Sequence, residues 1–157
     1  MKHLIAVIVN NKAGVLTRVA GLFSRRGFNI ESLAVGPTED EDTSRITIGV
    51  SGDEAEIEQI TKQLHKLPDT LKIFDLPEKE SVERDLIIIK VSMNSKTRTE
   101  IVQLVETFGG KIAHVGKSSL TIELSAEEDK VENFIKLVTP FGIKELVRTG
   151  VIAMLKE

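Results

Sequence analysis

Cysteine, tryptophan and tyrosine are all missing from these 157 residues, and six phenylalanines supply the entire aromatic content of 4%. Without cysteine, disulfides, thiolate metal sites and cysteine nucleophiles are excluded together, and the chain suits a reducing compartment, so a cytoplasmic location is expected. So few aromatics leave base-stacking platforms and aromatic cages poorly supplied. Charge of one sign is lacking too: 21 Lys and Arg stand against 24 Asp and Glu, a net charge of -3 at pH 7. There is no basic footprint for nucleic acid or for an anionic membrane surface, and neither is expected as a partner. No stretch approaches the roughly 20 apolar residues of a membrane span. The opening "MKHLIAVIVNN" has a short apolar run without the small residues of a leader cleavage site, so no targeting segment is expected.

What is present is a sizeable apolar complement, 41%, enough to build one ordinary domain or two small ones. His3 to Val9 is a continuous apolar strand, and Val15, Leu16, Val19, Leu22 and Phe23 recur at helical spacing up to Arg26, with Gly27 as a stop. Phe28 to Val35 and Arg45 to Ser51 form a strand pair around the polar loop "PTEDED". "SGDEAEIEQITKQLHKLPD" opens with a cap and an acidic first turn, and it carries Ile57, Ile60, Leu64 and Leu67 along one face. Leu71 to Leu76 completes the order βαββαβ.

The same order starts again after the charged stretch "PEKESVER". Asp85 to Met93 is a strand, and Lys96 to Phe108 is a helix stopped by Gly109 and Gly110. Lys111 to Val115 and Ser119 to Ser125 form a hairpin. A helix with Val131, Phe134, Ile135 and Val138 on one face follows, and Glu145 to Leu155 is the last strand. "RRGFNIESL" and "TFGGKIAHV" hold the same place in each half, the mark of a degenerate tandem repeat. The expected fold is α+β, two ferredoxin-like βαββαβ units, each with two helices on one face of a four-stranded antiparallel sheet. The other face needs a cover, and association of copies through an open sheet face or edge is expected.

One loop invites a ligand. Asn10 to Leu16 joins a strand to a helix whose first backbone N–H groups are unpaired. Gly14, without Cβ, would let a carboxylate approach them, and Asn10 or Asn11 could accept a hydrogen bond from an ammonium group. An α-amino acid carries both groups. The same residues also read as a plain connection, with Asn as cap and Gly as turn.

Other motifs read as ordinary structure. "GKIAHVGKSS" has five residues between Gly110 and Gly116 where a phosphate-binding loop needs four, and it sits in a hairpin. Glu39, Asp40, Glu41 and Asp42 lack the alternation of a calcium loop and read as a solvated turn. His3, His65 and His114 fall on different elements without metal spacing, so no metal site is expected. RNA recognition would need aromatics on "TSRITIGV" and "SSLTIEL", which have none. A hydrolase of this fold would need a cationic cradle in the first loop, where only Lys12 and Arg18 could serve.

The stretch "NNKAGVLTRVAGLFSRRGFNIESLAVGPTEDEDTSRITI", followed by "RDLIIIKV", "GGKIAHV" and "ELVRTGVIAM", resembles the regulatory (small) subunit of acetohydroxyacid synthase, also called acetolactate synthase. That resemblance covers the whole chain in order and length. It implies an ACT domain over residues 1–77, for amino-acid sensing and dimerisation, and a second ferredoxin-like domain over 78–157. It implies a non-catalytic chain that activates a separate catalytic (large) subunit and confers feedback inhibition by valine in branched-chain amino-acid biosynthesis. Thiamine diphosphate, Mg²⁺ and FAD are implied on the large subunit, with no cofactor on this chain. The inhibitor is implied to bind between two ACT domains of a homodimer. Asn11, Gly14 and Val15 fall on the family's loop motif, and Asn29 and Ile30 match positions that approach from the partner chain. The alternative is a free-standing ACT-type sensor that binds an amino acid and regulates some other enzyme, which the first half alone would permit.

Overall fold

The computed structural model describes all residues from Met1 to Glu157, and the chain divides into two compact units. The first takes in Met1–Val82 together with Val151–Glu157, and the second takes in Glu83–Gly150. The C-terminal seven residues therefore belong with the N-terminal unit, a division the repeat pattern of residues 1–77 and 78–157 did not contain.

In the first unit, β1 (Lys2–Asn10), α1 (Val15–Arg25), β2 (Ile30–Pro37), β3 (Thr43–Ser51), α2 (Glu54–His65) and β4 (Thr70–Asp75) follow in the expected order. The sheet runs β2-β3-β1-β4, with β1 antiparallel to both β3 and β4. Alternation along the strands sends Ile5, Val7 and Val9 of β1 and Ile46, Ile48 and Val50 of β3 to the face that carries the helices. There they bury Val15, Val19, Leu22 and Phe23 of α1 and Ile57, Ile60 and Leu64 of α2. Asp53 caps α2 through the Glu56 N–H, and the Glu56 carboxylate accepts from the Asp53 N–H, closing a capping box.

The opposite face of this sheet is not open. Leu4, Ala6 and Leu76 are buried there against Val151 and Ala153, with Phe74 and Leu155 at the margin. Polar contacts hold the C-terminal segment in place: the Arg45 guanidinium donates to the Ala153 carbonyl at 2.7 Å, and the Lys156 N–H donates to the Glu80 carbonyl at 2.9 Å. Arg45 also lies 5.3 Å from the centre of the Phe74 ring.

The arrangement repeats with β5 (Ser81–Ser92), α3 (Arg98–Phe108), β6 (Lys111–Val115), β7 (Ser119–Ala126), α4 (Glu128–Val138) and β8 (Ile143–Leu155), in the sheet order β6-β7-β5-β8; the first two residues of β5 and the part of β8 from Val151 onward belong to the first unit, and the rest to the second. Its core is built from Ile87, Ile89, Val91, Leu120, Ile122 and Leu124 against Ile101, Val105, Val131, Phe134 and Val138. β5 starts at Ser81, four residues before the expected Asp85, so part of "PEKESVER" is strand. Asp85 is only 1% exposed, and this is tolerated because Arg148 of β8 donates to it from Nε at 3.1 Å and also reaches Glu132 of α4. Those hydrogen bonds outweigh the burial that pulls the Arg148 guanidinium down, and its pKa ends above the ordinary value. The hairpin at Gly116–Ser118 closes with the Gly116 N–H donating to the Ser119 carbonyl at 2.8 Å.

Candidate functional site

The loop between β1 and α1 begins where Asn10 leaves the sheet. α1 starts at Val15 with Gly14 in the cap position at φ 84°, a left-handed conformation that glycine adopts freely, and no side chain caps the helix. Asn therefore does not fill the capping role. The Val15 N–H reaches the Lys12 carbonyl at a long 3.4 Å, and the next amide paired is that of Arg18, which donates to Gly14 at 3.1 Å. The Leu16 and Thr17 N–H groups are left pointing out of the helix end, an anion-accepting arrangement. A Cβ built on Gly14 would find no atom nearer than the Arg18 guanidinium at 3.9 Å, so the approach to those amides is open.

Both asparagines are anchored. Asn10 donates from its side chain to Asp69 at 3.2 Å, and Asn11 donates to the Glu41 carbonyl at 3.2 Å while its N–H donates to the Asp42 carbonyl at 2.8 Å. Each keeps its amide oxygen available to accept from an ammonium group. Arg18 donates to Asp69 at 2.7 Å. The Asn10 hydrogen bond, opposed by partial burial and helped by the charge and hydrogen bond of Arg18, holds the Asp69 carboxyl below its ordinary range.

Two supports of this loop are invisible in local spacing. Asp69 lies 59 residues from Asn10, and the "TEDED" turn supplies its backbone carbonyls from the start of the neighbouring strand β3. That turn is held by its own bonds, with the Asp42 N–H donating to Asp40 at 3.0 Å and the Thr43 N–H donating to the Asp40 carbonyl at 3.0 Å. Nowhere in the chain do three His, Asp or Glu side chains converge to hold a metal ion.

The five residues singled out in the sequence separate into two groups. Asn11 and Gly14 are exposed on the loop, and Val15 packs its side chain into the core, so only its backbone faces the loop. Asn29 is exposed just before β2, and Ile30 opens that strand, half-buried against the same core. The register places Ile30 opposite Val50 and Asn10 opposite Thr43, the two ends of β3. Seven residues of strand at roughly 3.3 Å each put Asn29 and Asn11 on the order of 23 Å apart. One chain does not bring the two groups together. β2 is an edge strand, and on its helix-bearing side Leu33 and Val35 are 37% and 47% exposed.

Residues 5–72 match the family described as an AHAS small subunit-like ACT domain, and residues 84–157 match the family described as the small subunit of acetolactate synthase. A probable acetolactate synthase small subunit from Archaeoglobus fulgidus is 54% identical over 156 residues, covering 99% of this chain and 98% of the relative. The acetolactate synthase small subunit of Aquifex aeolicus is 48% identical over 157 residues, covering 99% of this chain and 82% of that one. The crystal structure of an acetolactate synthase small subunit from Thermotoga maritima superposes with a TM-score of 0.93 at 42% identity, covering 100% of this chain and 98% of the other. Matches along both halves and a shared fold over the full length lead to one conclusion: this chain belongs to the acetolactate synthase small-subunit family, regulatory chains whose first half is an ACT domain.

Proposed function

We propose that this protein activates a catalytic acetolactate synthase subunit and makes it sensitive to feedback inhibition by valine. The observation that carries the valine site is the helix end at Gly14. It offers two unpaired amides for a carboxylate beside two asparagine oxygens for an ammonium group. An α-amino acid presents both of those charges, and a small branched side chain suits a lining without aromatics. Asn11, Gly14 and the Val15 backbone form one wall of the site, and Asn29 and Ile30 of a second copy form the other. The opposed ends of the β2 edge support that division, because two β2 edges set antiparallel bring the start of one strand to the end of the next. The condensation of two keto acids, with thiamine diphosphate, Mg²⁺ and FAD, belongs to the catalytic subunit. A free-standing sensor would have no use for the second family match over residues 84–157.

The test is reconstitution. The purified chain is added to the catalytic subunit, and acetolactate formation is followed with and without valine. Activation that valine reverses supports the reading. A catalytic subunit that neither changes rate nor co-sediments with this chain refutes it.

A further inference from the structure

Two arginines of this chain are held in opposite ways. Arg148 serves two carboxylates, those of Asp85 and Glu132. Arg45 of β3 is half-buried and serves none: its acceptor is the Ala153 carbonyl, at 2.7 Å. Beside it lies the Phe74 ring, which the Lys72 ammonium also approaches, at 4.6 Å from the centre. Burial without a countercharge draws the Arg45 pKa below its ordinary value. A neutral carbonyl is a weaker anchor for a cation than a carboxylate, so this tether on the C-terminal segment, Val151–Glu157, is an easily altered one.

The position of Arg45 on β3 gives the tether its meaning. The register sets Arg45 opposite Ile8 of β1, two residues before Asn10, and opposite Gly36 of the edge strand β2. It also follows closely on Glu41 and Asp42, whose carbonyls accept from the side chain and the N–H of Asn11. Asp40 braces the turn between them, so a change at Asn11 is passed on to the start of β3 through a hydrogen-bonded path. The proposal rests on the valine site at this loop. We propose that Arg45 is the positioning residue through which that site acts on the C-terminal segment: a filled site fixes Asn11 and the turn, the start of β3 is ordered with them, and Arg45 holds Ala153 more firmly. A ligand that binds only the ordered loop stabilises whatever is ordered with it.

The test is hydrogen exchange on the full chain, with and without valine at a concentration that calorimetry shows to be saturating. Valine should slow the amides of Ala153 to Lys156 at least about threefold relative to those of Ile122 to Leu124 in the second unit, a reference that removes any uniform effect of dimerisation. Arg45→Met, which keeps apolar contact with Phe74 and removes the donor, should bind valine within about twofold of the parent and lose that slowing. With the catalytic subunit present, this variant should need at least about fivefold more valine for half-inhibition. The proposal is overturned if bound valine leaves the C-terminal amides unchanged against the reference, if the slowing persists in Arg45→Met, or if that variant is inhibited at the parent's valine concentrations. The first of these results requires only the parent chain, so it decides even where Arg45→Met fails to fold. Calorimetry that finds no valine binding overturns the valine site and this proposal together, whereas binding without the exchange effect overturns the proposal alone.

Discussion

Gly14 concentrates two requirements in one position. Its φ of 84° costs a residue with Cβ about 1–2 kcal/mol, and its open surroundings are where the effector's carboxylate would lie. Gly14→Asp places a carboxylate that can itself accept from the Leu16 and Thr17 amides, occupying the ligand's place and repelling its charge. Valine inhibition should then be lost, or need at least about tenfold more valine, while activation of the catalytic subunit survives. Gly14→Ala carries only the backbone strain and should weaken inhibition less; dose–response curves for the two variants separate the contributions. Asp69 makes a second prediction. Its folded pKa is depressed, so its stabilising contribution is present at neutral pH, above the unfolded value, and is lost as pH falls through the folded value. Thermal melts from neutral pH to about pH 3 should therefore fall more steeply for the parent chain than for Asp69→Asn. Equal slopes would show that the Asn10 and Arg18 contacts add nothing to the folded state.

At the scale of elements, periodicity carried most of the fold. The apolar spacing of Val15, Val19 and Leu22, or of Ile46, Ile48 and Val50, reports which face of a helix or strand meets the core, and that information is local. Partners distant in the chain leave no such trace. Nothing near Asp85 announces that Arg148 will make its burial tolerable, and nothing near Asn10 announces Asp69, so the start of β5 and the supports of the loop were not legible. The alternation of Val151 and Ala153 with Ile152 and Met154 does mark a strand with one buried face. It does not say that this face lies on Leu4, Ala6 and Leu76 of the first unit. The C-terminal segment is for this reason part of the ACT core, and a fragment ending near Pro77 would leave those side chains uncovered. Val151→Ala should destabilise the chain by about 1–3 kcal/mol, from roughly 0.8 kcal/mol per buried methylene plus a cavity term. Ile152→Ala, on the outward side where the residue is 55% exposed, should change stability by less than about 0.5 kcal/mol. Urea midpoints for the pair check the assignment, and equal losses would place the wrong face inward.

For the whole molecule, the separation of Asn11 from Asn29 turns effector binding into a question of assembly. If one ligand touches the loop of one copy and the start of β2 of another, the complete site exists only in the dimer. A ligand that binds dimer and not monomer stabilises the dimer by RT ln(1 + [L]/Kd) per site, roughly 2.7 kcal/mol at a hundredfold excess over Kd. Valine should accordingly shift the monomer–dimer equilibrium toward dimer, and its apparent affinity should fall on dilution. Asn29→Ala should weaken valine binding about as much as Asn11→Ala, each by about 1–3 kcal/mol where a buried partner is left unpaired. The double variant should lose less than the sum, because both side chains serve one ligand. The Asn11 variant carries one further effect, since its side chain also ties the loop to the Glu41 carbonyl; a melting curve shifted in Asn11→Ala but not in Asn29→Ala identifies that part. Sedimentation velocity over a dilution series, with and without valine, measures the linkage directly. A monomer that binds valine with full affinity, or an equilibrium that valine leaves unmoved, would place the whole site within one chain and leave Asn29 with no part in it.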